Sequence, residues 1–325
     1  MLFRLSRLLL SFHMAVLLLA GCKSPPPAQS TALSKEQKTG LTKRAKPPQT
    51  FGITATATGD GATFSGAFRQ YQNNVGNLEL LEHEDARIPG IAVNNEKARL
   101  LVDTAAAESW LSVDAGTRLN MMPIAGPDLF ERKPRHVYDE AGGFAAVIPT
   151  LSLDKATVGN AIFYIRNVVG PLDTFARGED ATMLDGVLGA DALRSFEFVR
   201  ISLKSGRMIV SSTSVYPYPE NAMATVPLIN VRGGLGVEAM IDGEKIKLLV
   251  DLAGRFEMAA LSPASPLIRQ VTIGDAVFRQ VEVISALDAG LGADSPMRIG
   301  RKLLERYDLV INQRGKQLLF ERPTE

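Results

Sequence analysis

The segment Glu96–Ala106, EKARLLVDTAA, recurs later in the chain as Glu244–Gly254, EKIKLLVDLAG. When residues 93–105 are aligned with residues 241–253, seven of the 13 positions are identical. Each copy reads as a short apolar strand that ends at an aspartate and is followed by a turn of small residues. The pattern predicts two copies of one structural unit, each with an aspartate at a strand end.

Two further blocks repeat in the same order. ATVGNAIFYIRNVVG at Ala156–Gly170 matches VTIGDAVFRQVEVIS at Val271–Ser285, and both read as a strand, a glycine turn and a strand. The segment Gly186–Val210 matches Met297–Phe320, and both read as apolar residues, a glycine, a short helix and two strands. Two copies are too few for a solenoid. The repeats predict two β-rich lobes related by a pseudo-twofold axis, which places equivalent residues opposite one another.

The predicted domain boundaries follow these repeats. The first lobe, with a β extension at its N-terminal side, covers residues 51–212, and the second lobe covers residues 226–325. Residues 213–225, which include the sequence VYPYPE, are predicted to link the lobes. In the extension, the alternating pattern and glycine turn of GITATATGDG at residues 52–61 predict a hairpin.

Residues 1–22 have the proportions of a bacterial secretion signal, with two arginines ahead of an apolar run at residues 8–19. The run ends in Leu-Ala-Gly-Cys, which resembles the bacterial lipobox. That resemblance implies cleavage before Cys22 and attachment of lipid to its thiol. The alternatives are an ordinary signal peptide, or an N-terminal anchor helix, with an incidental cysteine.

Cys22 is the only cysteine of the chain, so the sequence offers no disulfide and no second thiol. Lys23 follows it in place of the aspartate associated with inner-membrane retention in enteric bacteria, which favours the outer membrane, facing the periplasm. Residues 23–50 are rich in Pro, Ser, Thr and Lys and lack a periodic apolar face. They are predicted to form a flexible tether.

The composition excludes several classes of function. The 325-residue chain carries a formal net charge of +1, so it lacks the basic excess of a nucleic-acid-binding protein. His83 and His136 have no cysteine partner, so no metal and no cofactor are expected. The charged run Glu82–Asp85 is interpreted as a solvated face rather than a metal site. The motifs of serine hydrolases, zinc peptidases and nucleotide-binding proteins are absent.

Two segments, LLVDTAAAESWLS at Leu100–Ser112 and GVLGADAL at Gly186–Leu193, resemble the aspartic peptidases of the retropepsin and pepsin type. The resemblance covers roughly residues 91–212 and 226–322 and rests on the whole set of spaced blocks. It implies a mainly β, bilobal, acid-protease-like fold, in which two retropepsin-like β-barrel lobes with short helices face each other across a pseudo-twofold axis.

The resemblance assigns the catalytic positions to Asp103 and Asp251, which the pseudo-twofold axis would bring together. The family's apolar-apolar-Gly positions fall on Val187–Gly189 and on Arg298–Gly300, where Arg298 is a poor match. Two carboxylates about 3 Å apart cannot both ionise cheaply, so they share a proton. One then accepts a proton from water while the other protonates the scissile carbonyl, and neither step needs a metal or cofactor.

The loops after the two aspartates depart from the family's Asp-Thr-Gly pattern. Ala105 and Ala253 stand where the family has glycine, which is tolerable where φ is negative. Thr104 can supply the hydroxyl that in the family reaches across to the other lobe, whereas Leu252 cannot. A buried backbone group left without such a bond would cost about 1–3 kcal/mol. The first loop is therefore nearly complete, and the second is degraded.

The first half of the chain carries a long insertion. Asp103 and Gly159 are 56 residues apart, whereas Asp251 and Gly274 are 23 residues apart. In the family, a hairpin at this place folds over the cleft as a flap. Gly142 and Gly143 would form its tip and Tyr138 would contact a bound peptide, all within the insertion. The alternative is a surface excursion that covers a sheet edge.

The first functional hypothesis is a lipid-anchored periplasmic aspartic endopeptidase that acts on a peptide or protein substrate. It would work as a monomer whose two lobes form an intramolecular pseudo-dimer, with an extended peptide in the cleft. The second is a catalytically inactive protein of the same fold that binds peptides or envelope proteins, a reading that Leu252 and Ala253 favour. A third is a purely structural envelope lipoprotein.

Overall fold

The computed structural model describes residues 33–59, 61–70, 74–83, 86–93, 96–131, 143–167, 184–292 and 294–323. Within these ranges the chain forms mostly strands, with four α-helices and three short 3-10 helices. The α-helices are α1 (Lys35–Arg44), α2 (Val113–Arg118), α3 (Ala190–Leu193) and α4 (Arg301–Leu304), and the 3-10 helices are Pro48–Phe51, Pro127–Phe130 and Pro219–Asn221. None of the helices in the described ranges has both the length and the apolar character to span a membrane.

The strands of the N-terminal half are β1 (Thr54–Thr58), β2 (Gly61–Ser65), β3 (Arg69–Gln70), β4 (Val75–His83), β5 (Ala86–Val93), β6 (Glu96–Val102), β7 (Trp110–Ser112), β8 (Met122–Pro123), β9 (Phe144–Leu153), β10 (Ala156–Arg166), β11 (Gly186–Leu188), β12 (Phe198–Ser202) and β13 (Arg207–Ser211). Those of the C-terminal half are β14 (Ala222–Pro227), β15 (Ile229–Val231), β16 (Gly234–Ile241), β17 (Glu244–Asp251), β18 (Met258–Ala260), β19 (Leu267–Ile273), β20 (Ala276–Ser285), β21 (Arg298–Gly300), β22 (Asp308–Asn312) and β23 (Gln317–Glu321).

Both lobes share one strand arrangement around the aspartate that ends the repeated apolar run. In the N-terminal lobe, β6 runs parallel to β11, β11 is antiparallel to β7, and β7 is parallel to β10. In the C-terminal lobe, β17, β21, β18 and β20 pair in the same order and with the same directions. The strand after each aspartate therefore returns beside the apolar-apolar-Gly strand. The repeat read from the sequence is a repeat of the fold.

Within a 14-stranded sheet that continues through β5 into the first lobe, the lobes are joined by a segment of six strands, in the order β14-β23-β22-β12-β13-β4. Its two central strands are antiparallel, with Phe198 opposite Asn312 and Ser202 opposite Asp308. The order β22-β23-β14 on one side of this pair corresponds to the order β12-β13-β4 on the other side. The pseudo-twofold axis therefore passes between β12 and β22. The predicted fold class, mainly β with two lobes related by a pseudo-twofold axis, is confirmed.

One apolar core runs through both lobes beneath the two aspartate loops. Val102 and Leu188 from the first lobe and Val250 and Ile299 from the second belong to the same buried cluster. The burial of each such side chain contributes about 1.5–3 kcal/mol. Since the core is shared, the two aspartate loops rest on a common base.

The N-terminal segment differs from the flexible tether predicted for residues 23–50. Its described part, residues 33–50, contains α1, which begins at a capping box in which Ser34 and Gln37 bond each other's backbone N–H. Leu33 and Leu41 are buried in the core. The polar composition concealed these two apolar anchors, which hold the helix against the first lobe.

The hairpin predicted within residues 52–61 is present as β1 and β2. It covers a second apolar cluster on the outer face of the first lobe, where Ile53 packs with Leu101, Trp110 and Val187. The predicted linker, residues 213–225, is shorter than expected. Its last four residues belong to β14 because Ala224 and Val226 alternate into the core beside β23.

Candidate active site

Asp103 follows β6 directly and is held by the backbone of its own loop. Its N–H donates to the carbonyl of Leu188 over 3.1 Å, which ties the loop to the apolar-apolar-Gly strand. Its Oδ1 accepts hydrogen bonds from the N–H groups of Ala105 and Ala106, at 2.8 and 3.1 Å. The residue is half-buried. No hydrogen bond to its Oδ2 comes from the part of the chain that the structure describes.

Asp251 ends β17 and is more deeply enclosed, with 3% of its surface exposed. Its Oδ1 accepts a hydrogen bond from the N–H of Gly254 at 2.7 Å. Its Oδ2 lies 3.1 Å from Nη1 of Arg298, which is 7% exposed. The Nε of Arg298 donates to the hydroxyl of Ser295 over 3.0 Å. Both oxygens of Asp251 are therefore engaged, and one of them is in a buried ion pair.

Arg298 occupies the place that an apolar residue takes in the first lobe. It stands opposite Leu249 in the pairing of β17 with β21, just as Val187 stands opposite Leu101 in the pairing of β6 with β11. The sequence marked Arg298 as a poor match to its motif. It gave no sign that the side chain turns inward to Asp251, which lies 47 residues earlier in the chain.

Thr104 connects the two aspartate loops across the lobe boundary. Its hydroxyl donates to the carbonyl of Val250 at 2.5 Å and accepts from the N–H of Leu252 at 3.2 Å. The residue is 1% exposed, and its carbonyl accepts from the N–H of Leu235 at 2.8 Å. Leu252 has no hydroxyl to return the contact and packs into the shared core instead. The cross-lobe lock therefore has one side only.

A second contact across the lobes comes from Arg194, the residue that follows α3. The guanidinium of Arg194 donates to the carbonyls of Gly233 and Gly234, at 2.7 and 2.9 Å. A Cβ at Gly234 would lie 2.7 Å from the carbonyl oxygen of Ala105, so the hairpin of the second lobe can approach the first aspartate loop only through glycine. These contacts hold the loop of Asp103 firmly against the second lobe.

The alanines that replace the family's glycines are accommodated. Ala105 and Ala253 are both outside the left-handed region of φ, so neither methyl strains the backbone. The next position differs between the loops. The N–H of Ala106 donates to Asp103, and the N–H of Gly254 donates to Asp251 beside the ring of Phe256, which a Cβ at Gly254 would approach to 2.5 Å.

The two carboxyl groups interact electrostatically. Burial, followed by the negative charge of Asp251, raises the pKa of Asp103 to about 7. The positive charge of Arg298 and the N–H groups of Ala105 and Ala106 oppose this rise. A carboxyl group with such a pKa keeps its proton in mildly acidic solution and can donate it there.

Asp191, in α3, is a half-buried carboxyl group that the sequence did not single out. Its Oδ1 accepts from the N–H and the hydroxyl of Ser109, at 2.9 and 2.6 Å, and that hydroxyl also accepts from the N–H of Gly189. Burial raises the pKa of Asp191 to about 6. The group braces the first aspartate loop against α3. An acidic residue inside the otherwise apolar GVLGADAL segment was the available signal.

The second loop has a different brace. Glu257 takes the place of Ser109 and accepts hydrogen bonds from the N–H of Glu282 at 2.7 Å and from Arg306 at 2.9 Å. These partners lie toward the surface, and the side chain of Arg306 is half exposed. The carboxylate of Glu257 therefore bonds β20 and the turn that follows α4.

Three of the predicted site residues, Cys22, Tyr138 and Gly142, lie outside the described residues. Gly143 directly precedes β9, and a Cβ on it would lie 2.9 Å from the carbonyl of Ile165 in β10. The role of this segment as a flap stays a prediction. In the part of the chain that the structure describes, no group of three or more His, Cys, Asp or Glu side chains could hold a metal ion.

No protein-family model matches the chain, and no curated protein matches its sequence. Two solved structures are similar in fold. Basic 7S globulin from soybean is 11% identical, with a TM-score of 0.43, and the match covers 77% of this chain and 95% of that one. An aspartic proteinase from Irpex lacteus is 13% identical, with a TM-score of 0.47, and the match covers 77% and 98%. These likenesses concern the fold, which the strand order of both lobes already defines.

Proposed function

We propose that this protein is an aspartic endopeptidase in which Asp103 and Asp251 activate a water molecule. One observation carries the proposal: two aspartates stand at the ends of equivalent strands in two equivalent lobes, and the negative charge of Asp251 helps to raise the pKa of Asp103. The hydroxyl of Thr104 locks their loops together. This arrangement supplies a proton donor and a proton acceptor at one place, without a metal.

In the first step, the ionised carboxylate of Asp251 takes a proton from water while the oxygen attacks the scissile carbonyl carbon. The protonated carboxyl of Asp103 gives its proton to the carbonyl oxygen, and the product is a neutral gem-diol. The N–H groups of Ala105, Ala106 and Gly254 hold the two carboxyl groups in place while charge moves between them.

In the second step, Asp251 returns its proton to the amide nitrogen and the carbon–nitrogen bond breaks. Asp103 takes a proton from a hydroxyl of the gem-diol, which becomes the new carboxylic acid. One water is consumed, and both aspartates regain their starting protonation states. Above about pH 7 the pair loses the proton on Asp103, so hydrolysis should decline there.

A second candidate function is peptide binding without hydrolysis. The ion pair between Arg298 and Asp251 favours it, because the guanidinium occupies an oxygen of Asp251 that the base of the reaction would offer to water. Leu252 favours it as well, since it leaves the cross-lobe lock one-sided. In this case the cleft would hold an extended peptide and release it unchanged.

Cleavage of a mixed peptide library over pH 3–8 tests both candidates. The full chain should cut peptides, and Asp103→Asn and Asp251→Asn should each lower the rate by about 10²–10⁴-fold. Persistence of the wild-type rate in both variants would exclude the pair as the catalyst. Retention of unmodified peptides by a wild type that never cuts them would favour the binding candidate.

The lipid anchor is part of the same proposal. Lipidation of Cys22 would hold the protein on the outer membrane, facing the periplasm, where its substrates would be peptides or envelope proteins. Growth of the producing cells with a labelled fatty acid tests this point. The wild-type protein should carry the label, and Cys22→Ser should not. Label on the Cys22→Ser variant would contradict lipidation at that residue.

A further inference from the structure

Arg298 is a buried cation at a position where the equivalent strand of the first lobe has valine. An arginine keeps its positive charge at any ordinary pH, and burying that charge is unfavourable unless a counter-charge accompanies it. Among the described residues, the carboxylate of Asp251 supplies a counter-charge at 3.1 Å, and the hydroxyl of Ser295 accepts a hydrogen bond from the Nε of Arg298. The charge of Arg298 therefore acts on one member of the aspartate pair more directly than on the other.

The two aspartates differ in the consequence of binding a proton. A proton on Asp251 would break its buried ion pair with Arg298. A proton on Asp103 would break no ion pair among the described residues, in which the guanidinium of Arg298 bonds the carboxylate of Asp251. It would also remove a negative charge that lies close to the negative charge of Asp251.

Among the described residues, no other charged group opposes this asymmetry. The charges that act on the Asp103 carboxyl are those of Asp251, from β17, and Arg298, from β21. Its other contacts are two backbone N–H groups of its own loop. Asp251 is faced by the guanidinium of Arg298, the carboxyl of Asp103 and the N–H of Gly254. Arg298 is thus the one cation among these groups.

We infer that Arg298 is a positioning residue that places the shared proton on Asp103, which makes Asp103 the acid of the pair and Asp251 the base. The inference rests on the proposed function for its catalytic meaning, although the location of the proton is a property of the folded protein alone. In a symmetric pair, either carboxyl could carry the proton. Here the divergence of a single strand position, valine in one lobe and arginine in the other, selects one of them.

The location of the proton can be measured without any catalysis. The full chain in detergent micelles, with ¹³C in its aspartate carboxyl groups, is titrated from pH 4 to pH 9 by NMR. Asp103→Asn and Asp251→Asn assign the two signals. As the pair gains its shared proton, the Asp103 carboxyl carbon should move, and the Asp251 carbon should keep the shift of a carboxylate.

Replacing Arg298 by methionine, of similar length without the charge, should change that pattern. In Arg298→Met the proton should be divided between the two aspartates, so the carboxyl carbon signals of both should move. The midpoint of this titration step should rise by about 1 pH unit or more, because the positive charge is gone. Arg298→Lys keeps a positive charge and should preserve the wild-type assignment. Ser295→Ala removes the Nε contact alone and should leave the proton on Asp103. Arg298→Gln repeats the test if the methionine variant does not fold.

Two results would overturn the inference. One is movement of the Asp251 carbon in the wild type during the step in which the pair gains its proton. The other is a folded Arg298→Met or Arg298→Gln protein whose two signals titrate as in the wild type. Because these signals do not depend on turnover, a chain that cleaves no peptide would fail the proposed function and leave this measurement fully interpretable.

Discussion

The two aspartate loops of this protein have the same backbone plan and different side-chain chemistry. The first loop offers Thr104, which bonds across the lobes, and an Asp103 whose Oδ2 accepts no hydrogen bond from the described residues. The second offers Leu252, which packs into the core, and an Asp251 bound to Arg298. The strand order around both loops is nevertheless the same. Strand pairing and core packing are therefore more tolerant of side-chain divergence than the chemistry of the site.

The difference shows that each lobe contributes a different property to the site. The first loop supplies the contact that holds the lobes in register, and the second supplies the buried charge that makes the two carboxyl groups unequal. Each loop can be altered separately, and the two alterations should change different measured quantities. Removing the contact should affect stability, and removing the charge should affect titration.

The largest effect is expected from breaking the buried ion pair of the second loop. Asp251→Ala should lower the free energy of unfolding by about 3–5 kcal/mol, because it leaves the Arg298 charge without its carboxylate. The double variant Asp251→Leu with Arg298→Met should recover most of this loss. Urea unfolding measures both. A loss from Asp103→Ala as large as that from Asp251→Ala would contradict the distinction between the loops.

Removal of the hydroxyl of Thr104 should have the next largest effect. Thr104→Val keeps the shape and leaves the carbonyl of Val250 and the N–H of Leu252 without partners, which should cost about 2–3 kcal/mol. Thr104→Ser retains the hydroxyl and serves as the matched control. Leu252→Met, a change of similar volume in the other loop, should cost less than about 1.5 kcal/mol. Equal losses for Thr104→Val and Thr104→Ser would rule out the hydroxyl as the cause.

The pH dependence of stability should also separate the loops. The pKa of Asp103 is raised to about 7 by burial and by Asp251, so the folded protein binds more protons than the unfolded chain between about pH 4 and pH 7. This stabilising contribution is complete at acidic pH and is lost as the pH rises through about 7. Asp103→Asn should therefore be more stable than the wild type at pH 8, by about 1–3 kcal/mol.

Asp191→Asn should also change the pH dependence of stability, at a slightly lower pH than Asp103→Asn, because the pKa of Asp191 is raised to about 6. Unfolding by urea at pH 4.5 and pH 8 measures both variants. Asp275→Asn, at an exposed site, is the control. An Asp103→Asn protein with the same pH slope as the wild type would count against the interpretation of the first loop.

The smallest effects concern the braces behind the two loops. Ser109→Ala removes a buried hydroxyl that bonds Asp191 and the N–H of Gly189, and should cost about 1–3 kcal/mol. Glu257→Gln weakens a contact to the half-exposed Arg306 and should cost less than about 1 kcal/mol. Thermal unfolding of the two variants side by side would show the difference. A larger loss of stability in Glu257→Gln than in Ser109→Ala would mean that the second loop depends more on its supporting contact than the first loop does.

Much of the fold could be predicted from local pattern and repetition. Apolar runs that end at aspartates, glycine turns and matched block order indicated two β lobes, because strand periodicity and turn chemistry are written in neighbouring residues. The hairpin at residues 52–61 was predicted in the same way. The helix Lys35–Arg44 was missed, since its helical stability depends on Leu33 and Leu41 reaching a core formed by distant segments.

The sequence by itself determined the duplication, the aspartate at each strand end and the loss of a hydroxyl at Leu252. Only the tertiary structure decided that Thr104 meets Val250 and Leu252 across the lobes, that residues 222–227 join the central sheet, and that Arg298 turns toward Asp251. The reason is physical. A strand or a turn is specified by adjacent residues, whereas an ion pair between strand neighbours depends on which strands pair and on which face each side chain is buried.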